Sequence, residues 1–153
     1  MPVGTVRSRL SQVKLKLADA ILETAETAHG EATAVAAARE RYITESVEEF
    51  GRTGSHAAFL APMADDVEIL KAASGESFRG RDMLALGMAM DAADGVGFLP
   101  TQVICGPGMT ILEARFVNPD YDPFHCPPAT AQIHFHRGDE TYRMVWHYAQ
   151  REA

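Results

Sequence analysis

The sequence predicts an α+β fold in which helices come first and a mostly antiparallel sheet, built from sequential strands, follows and carries the helices on one face. Three observations point there. Residues 6–51 are helical in character, with apolar residues at three- and four-residue steps. Beyond them, short alternating runs are separated by glycine turns. The stretch Thr130–Gln150, TAQIHFHRGDETYRMVWHYAQ, is an alternating run, a Gly-Asp turn and a second alternating run.

In the helical part, Leu10, Val13, Leu17, Ile21 and Ala25 mark a first helix, and Gly30 is expected to break it. A second helix is expected from Thr33 to Phe50, with Ala36, Ile43, Val47 and Phe50 on its apolar side. The chain is therefore divided into an N-terminal helical extension, 1–31, and one domain, 32–153. Three uses of the extension stay open: packing on a neighbour, wrapping a second subunit, or being loosely held.

Gly51 and Gly54 frame a turn, and Ser55 is expected to cap a short helix in HAAFLAPM that Pro62 limits. Asp65 and Asp66 then precede a strand, VEILKA; SFRG is a short return strand after Gly75. Arg81–Ala93 reads as a helix with Met83, Leu84, Leu86, Met88 and Met90 on broad apolar faces. TQVIC and MTILEARFV are strands joined by Gly106–Gly108, and the polar connection NPDYDPFHCPP leads to the final hairpin.

In that hairpin, setting Arg137 opposite Tyr142 places Phe135 opposite Met144, Ile133 opposite Trp146 and Ala131 opposite Tyr148. Strand side chains alternate between faces, so this register gives one apolar and aromatic face. The other carries Gln132, His134 and His136 with Arg143, Val145 and His147.

Bulk properties bound the partners. The 153 residues suffice for one core. A net charge of −7 with no local Lys/Arg cluster argues against nucleic acid or an anionic membrane as partner. Cys105 and Cys126 form no C-x-x-C pair and read as thiols in a reducing compartment. No apolar run reaches membrane-spanning length, and the first residues lack the apolar core of a signal peptide. The expected location is cytoplasmic.

The segment GSHAAFLAPMADDVEILKAASGESFRGRDML, with PFHCPPAT and IHFHRGDETYRMVWHYA, resembles the nuclear-transport-factor-2-like superfamily, in its SnoaL-like polyketide cyclase and ketosteroid isomerase branch. The resemblance covers residues 34–150. It implies a conical half-barrel: a bent sheet around helices, with an apolar pocket at one end. It also implies pairing of two copies through the sheet. Such proteins include isomerases, cyclases, dehydratases and epoxide hydrolases as well as non-catalytic binding or dimerisation domains, so fold alone does not select an activity. The acids and the tyrosine of ketosteroid isomerases fall here on Lys71, Ile133 and Val47, so that reaction is not expected. A one-residue bulge would turn His134 inward instead of Ile133.

Trp146, Tyr148, Phe135, Ile133, Met88 and Val47 are the candidate substrate-binding residues, with Met83 and Met90 beside them; the plainer reading of each is core filling. His125, His134 and Lys71 are the candidate acid/base groups. The plainer readings are an exposed loop histidine, a sheet-face histidine and a solvated strand lysine. Histidines 134, 136 and 147 suggest a metal by spacing, but no acidic residue is placed to orient them, and neither metal nor other cofactor is expected. The expectation is a pocket for a small hydrophobic, polyketide- or terpenoid-like molecule and, if catalytic, proton-transfer chemistry: cyclisation, dehydration or isomerisation. The alternative is a non-enzymatic ligand-binding or dimerisation module. A homodimer through the Gln132/His134/Val145/His147 face is expected.

Overall fold

The computed structural model describes residues 3–150, with side chains described at positions 16, 19 and 29–150. Two compact units divide the chain at Val35/Ala36. The first is the leading part of one long helix, α1 (Val3–Thr53); the second holds the rest of α1 and all other elements. Gly30 does not break α1. A helical glycine costs only about 1 kcal/mol against alanine, and the turn at Gly30 is spanned by a bond from Thr33 Oγ1 to His29 O of 2.8 Å. The expected apolar positions Leu10, Val13, Leu17, Ile21 and Ala25 lie outside the residues whose side chains are described.

After α1 come α2 (Ala57–Leu60), β1 (Met63–Lys71), β2 (Ser77–Arg79), α3 (Arg81–Ala93), β3 (Gly97–Gly106), β4 (Met109–Val117), β5 (Ala129–Arg137) and β6 (Glu140–Tyr148). The strands form one sheet in the order β2-β1-β6-β5-β4-β3. Only β1 and β6 run parallel; the other pairs are antiparallel. Two expectations near α2 change. His56, not Ser55, occupies its N-cap, without a side-chain capping bond. Asp65 and Asp66 lie within β1 rather than before it, and Asp65 meets Arg81 at the start of α3 at 2.6 Å.

The core joins Ile43, Val47 and Phe50 of α1, Phe59 and Leu60 of α2, Leu84 of α3, and Val67, Ile69, Leu112, Ala114 and Met144 of the sheet. Two polar ties fix the second unit's part of α1 to this layer. Tyr42 donates to Ala58 O at 2.6 Å, and Arg39 donates to Gly138 O at 2.8 Å in the β5–β6 turn.

The hairpin register differs from the expected one by a residue. Arg137 pairs with Glu140 across a two-residue loop, Gly138-Asp139. Gly138 has φ of +57°, a value for which glycine carries no Cβ penalty. His136 then pairs with Thr141 and Phe135 with Arg143, leaving Tyr142 as the extra residue of a bulge. Beyond it, His134 faces Met144, Gln132 faces Trp146 and Thr130 faces Tyr148. Met144, Trp146 and Tyr148 keep the inner side foreseen for them, but on β5 the inner residues are Thr130, Gln132, His134 and His136, all buried. Ile133 and Phe135, expected to line the pocket, alternate with them on the opposite face of β5. The expected assembly face loses Gln132 and His134 for the same reason.

Candidate functional site

A pocket of about 70 Å³ lies between α3, the end of α1, α2 and the inner face of the sheet. Its wall is largely aromatic: Phe50, Phe59, Phe98, Phe116, Trp146 and Tyr148, with Leu84, Met88 and Val96 filling between them. The rings brace one another, edge-on around Trp146 and tilted between Phe98 and Phe116. Trp146 meets Phe78 at 5.8 Å and Tyr148 at 6.3 Å between centroids, and Phe98 meets Phe116 at 5.2 Å. Two lining residues are polar or charged in the ordinary sense, Gln132 and Asp91.

Asp91 follows from helical geometry. Leu84, Met88 and Asp91 stand at i, i+4 and i+7 of α3 and so share a face. That face meets the pocket, while Met83, Leu86 and Met90 are exposed. Of the three methionines considered, Met88 alone lines the pocket. Burial raises the Asp91 carboxyl above the ordinary carboxylate range, against a lowering by His125.

His125 reaches Asp91 from the loop after β4. Its Nε2 lies 3.7 Å from Asp91 Oδ1 and 3.5 Å from Asp94 Oδ2. Its Nδ1 lies 3.2 Å from Asp122 Oδ2, so an N–H there donates to the carboxylate and turns Nε2 toward α3. The loop is pinned by Asn118, which accepts from the Cys126 amide at 2.9 Å and donates to Cys126 O at 2.9 Å and Pro123 O at 3.1 Å. Tyr121 donates to Asp94 O at 2.5 Å and ties the loop to the end of α3. Ligand-type atoms of Asp91, His125 and Cys126 lie within 4.8 Å of one another, and these are the residues that could hold a divalent cation here. Histidines 134, 136 and 147 do not converge, because His147 is on the other face of the sheet.

The phenol of Tyr148 is pushed up to about 12 by burial, with smaller contributions from Cys126 and Asp91. It stays protonated and is a hydrogen-bonding group rather than a base. Trp146 Nε1 is buried without an acceptor among the described residues.

The other sequence candidates are distributed as follows. His134 is buried behind the pocket, its Nε2 3.2 Å from Gln132 Oε1 and its ring edge-on to Phe59 at 5.9 Å. Burial, with Arg39 and His136 nearby, lowers it to about 3, so the ring is neutral. Lys71 is at the rim end of β1, paired with Glu76 at 3.5 Å and 41% exposed in its side chain, outside the pocket wall. Val47 is in the core rather than the wall. Asp91 was not singled out from the sequence. The available signal was an acid in register with Leu84 and Met88, obscured because α3 is apolar on its outer side as well.

No protein-family model matches the chain, and no curated protein sequence does. Solved structures do resemble it. A SnoaL-like protein of unknown function from Burkholderia thailandensis is 15% identical, with 76% of this chain and 97% of that one covered and a TM-score of 0.56. A protein with a ketosteroid isomerase-like fold from Catenulispora acidiphila, solved in complex with trimethylamine, is 18% identical over 70% of this chain and 85% of that one, with a TM-score of 0.53. A candidate ketosteroid isomerase from Kribbella flavida is 12% identical over 74% and 84%, with a TM-score of 0.52. The chain thus has the NTF2-like α+β fold, one shared with candidate isomerases. Among the described residues, no helix is long and apolar enough to cross a membrane.

Proposed function

We propose that the pocket beneath Trp146 and Tyr148 binds a small, largely apolar molecule and that Asp91 moves a proton on it, with His125 as the proton's outlet to solvent. The carrying observation is one partly desolvated carboxylate in a largely aromatic wall, 3.7 Å from an imidazole on an accessible loop. A carboxyl raised by burial holds a proton more readily than an exposed one, which suits a group that must both take and return it. In the simplest step a substrate C–H bond breaks, its electron pair stays on the substrate, and an O–H bond forms on Asp91. The proton then returns at another atom of the substrate, giving isomerisation, or assists ring closure or loss of water.

His125 takes the acid/base place expected for it, now as partner of Asp91. His134 acts from behind the wall, and Lys71 has no part in this reading. Pockets enclosing drug-sized ligands hold about 300–1,000 Å³. A space of about 70 Å³ therefore fits a compact guest, or the leading ring of a polyketide- or terpenoid-like one. The same small volume favours a second reading, in which the protein binds without turnover or serves assembly. The outer sheet face, with Ile133, Phe135 and Val145 part-buried on it, then supplies a homodimer contact.

Trp146 is the only tryptophan, so its fluorescence reports the pocket directly. A panel of small cyclic ketones, alkenes and alcohols is expected to change it saturably. Trp146→Phe should lose that signal, and Asp91→Asn should keep binding. No saturable response from any member would remove the pocket as a ligand site.

A further inference from the structure

The imidazole of His125 faces carboxylates on both sides. Its Nδ1 lies 3.2 Å from Asp122 Oδ2, and its Nε2 lies 3.7 Å from Asp91 Oδ1 and 3.5 Å from Asp94 Oδ2. With an Nδ1 proton donated to Asp122, the neutral ring turns a lone pair toward two carboxylate oxygens. Acceptors that face one another repel unless a cation stands between them. A proton in that place would draw an oxygen in to about 2.7–2.9 Å, the length of a charge-assisted bond. The observed separations are longer.

They come within a few tenths of an ångström of the edges of a metal tetrahedron. Zn–N and Zn–O bonds of about 2.0–2.1 Å at the tetrahedral angle hold ligand atoms about 3.3–3.4 Å apart, and a Zn–S bond of about 2.3 Å holds sulfur about 3.5 Å from its neighbours. Sulfur is at hand. Ligand-type atoms of Asp91, His125 and Cys126 lie within 4.8 Å of one another, so Sγ closes by roughly 1.3 Å at most. The two elements that carry these residues are tied together. Asn118 bonds both the Cys126 amide and its carbonyl, and Tyr121 bonds Asp94 O at the end of α3. Asp122 is the outer carboxylate that a metal-bound imidazole ordinarily has behind it. An ion has a way in, because 27% of the His125 side chain and 43% of the Asp91 side chain are exposed.

We propose that Asp91, His125 and Cys126 form a zinc-type metal site, with an Asp91 oxygen, His125 Nε2 and the Cys126 thiolate as ligands. The thiol proton leaves to solvent as the metal–sulfur bond forms. Sulfur, nitrogen and oxygen together suit Zn²⁺, whereas Mg²⁺ and Ca²⁺ take oxygen ligands. Asp94 adds a further negative charge beside the ion. The site goes beyond the ligand-pocket reading and does not depend on it. It does bear on it: the ion takes the same oxygen and nitrogen that carry the proton there, so bound Zn²⁺ and proton transfer exclude one another.

The test uses the untagged full chain, freed of metal with EDTA and titrated with Co²⁺, which accepts zinc geometry and absorbs light. One equivalent should bring visible bands of four-coordinate intensity and a near-ultraviolet sulfur-to-cobalt charge-transfer band, and Zn²⁺ should abolish both. Cys126→Ser should lose the charge-transfer band, while Cys105→Ser keeps it. His125→Ala, on an exposed loop, should weaken binding by at least about tenfold. Absorbance that never saturates, equal binding by His125→Ala, or a charge-transfer band that survives Cys126→Ser overturns the site. Those failures leave the Asp91 proton route standing. Zn²⁺ bound while proton exchange with a ketone guest continues undiminished would overturn that route and leave the metal site standing.

Discussion

Asp91 Oδ1 and His125 Nε2 stand 3.7 Å apart, one on the pocket face of α3 and the other on the loop after β4. The pair connects the pocket to solvent. Asp91 is part of the wall, and His125 is held by Asp122 on its far side. Burial is the first cause of the raised Asp91 carboxyl, and His125 opposes it. His125→Ala is therefore expected to move Asp91 further up. Carboxyl ¹³C titration of the two proteins measures it; an unchanged or lowered Asp91 in the variant would separate the two groups.

The same carboxyl predicts a cost in stability. A raised pKa means that the native state holds the proton more tightly than the unfolded chain. That contribution is fully present below the unfolded value of about 3.9 and is lost as pH rises through the folded value. Asp91→Asn removes the titration, so its thermal midpoint should exceed the wild type's at neutral pH, the difference shrinking toward pH 3. This is the usual cost of a functional site. A variant less stable than wild type at neutral pH would assign Asp91 a structural role instead.

His134 makes an opposite demand on pH. It is 1% exposed and neutral, with Arg39 and His136 as its charged or titratable neighbours and Phe59 against the ring. Unfolded, it takes a proton below about pH 6.5, which the native state refuses until about 3. Its stabilising contribution is therefore present above the unfolded value and falls as pH drops. By linkage the loss between pH 7 and pH 5 is about 2 kcal/mol. Urea unfolding at the two pH values should show a loss smaller by about that amount in His134→Gln. His136, also lowered by burial, contributes in the same direction and remains in the variant. Equal losses in the two proteins would contradict a neutral buried ring.

Two glycines should respond with opposite sign. Gly30 is inside continuous helix with nothing within 4 Å of an added Cβ, whereas Gly138 has φ of +57°. Gly30→Ala should increase helicity and stabilise α1 by up to about 1 kcal/mol. Gly138→Ala should destabilise the domain by about 1–2 kcal/mol, and it carries the carbonyl that accepts from Arg39. Circular dichroism with urea titration checks both. Destabilisation by Gly30→Ala would restore the break that the sequence suggested.

Assembly through the outer sheet face has its own test. Ile133, Phe135 and Val145 alternate with the inward residues of β5 and β6. Phe135→Asp should convert a dimer into a monomer in light scattering while the Trp146 fluorescence response to ligand persists. A wild-type monomer at the same concentration would rule out this contact.

Much of the layout was legible in the sequence. Arg81–Ala93, closed by Gly95, and Met109–Val117, opened by the Gly106–Gly108 turn, both form with those bounds. The hairpin was legible as a hairpin but not in register. A two-residue loop at Gly138-Asp139 and the extra residue at Tyr142 together shift the pairing by one. A shift of one exchanges the faces of a strand, which is why His134 and Gln132 replaced Ile133 and Phe135 inside. Asp91 stayed hidden for a different reason. Met83, Leu86 and Met90 make the outer side of α3 as apolar as the inner one, so periodicity did not mark which face was buried.

The central claim is that Asp91 exchanges protons with a guest in this pocket, and hydrogen–deuterium exchange into cyclopentanone in D₂O, followed by proton NMR, tests it most directly. Wild-type protein should speed loss of the α-proton signal well above buffer, and Asp91→Asn should reduce that acceleration by a factor of about 10² or more. Exchange at the buffer rate, or an Asn variant as fast as wild type, would contradict the account.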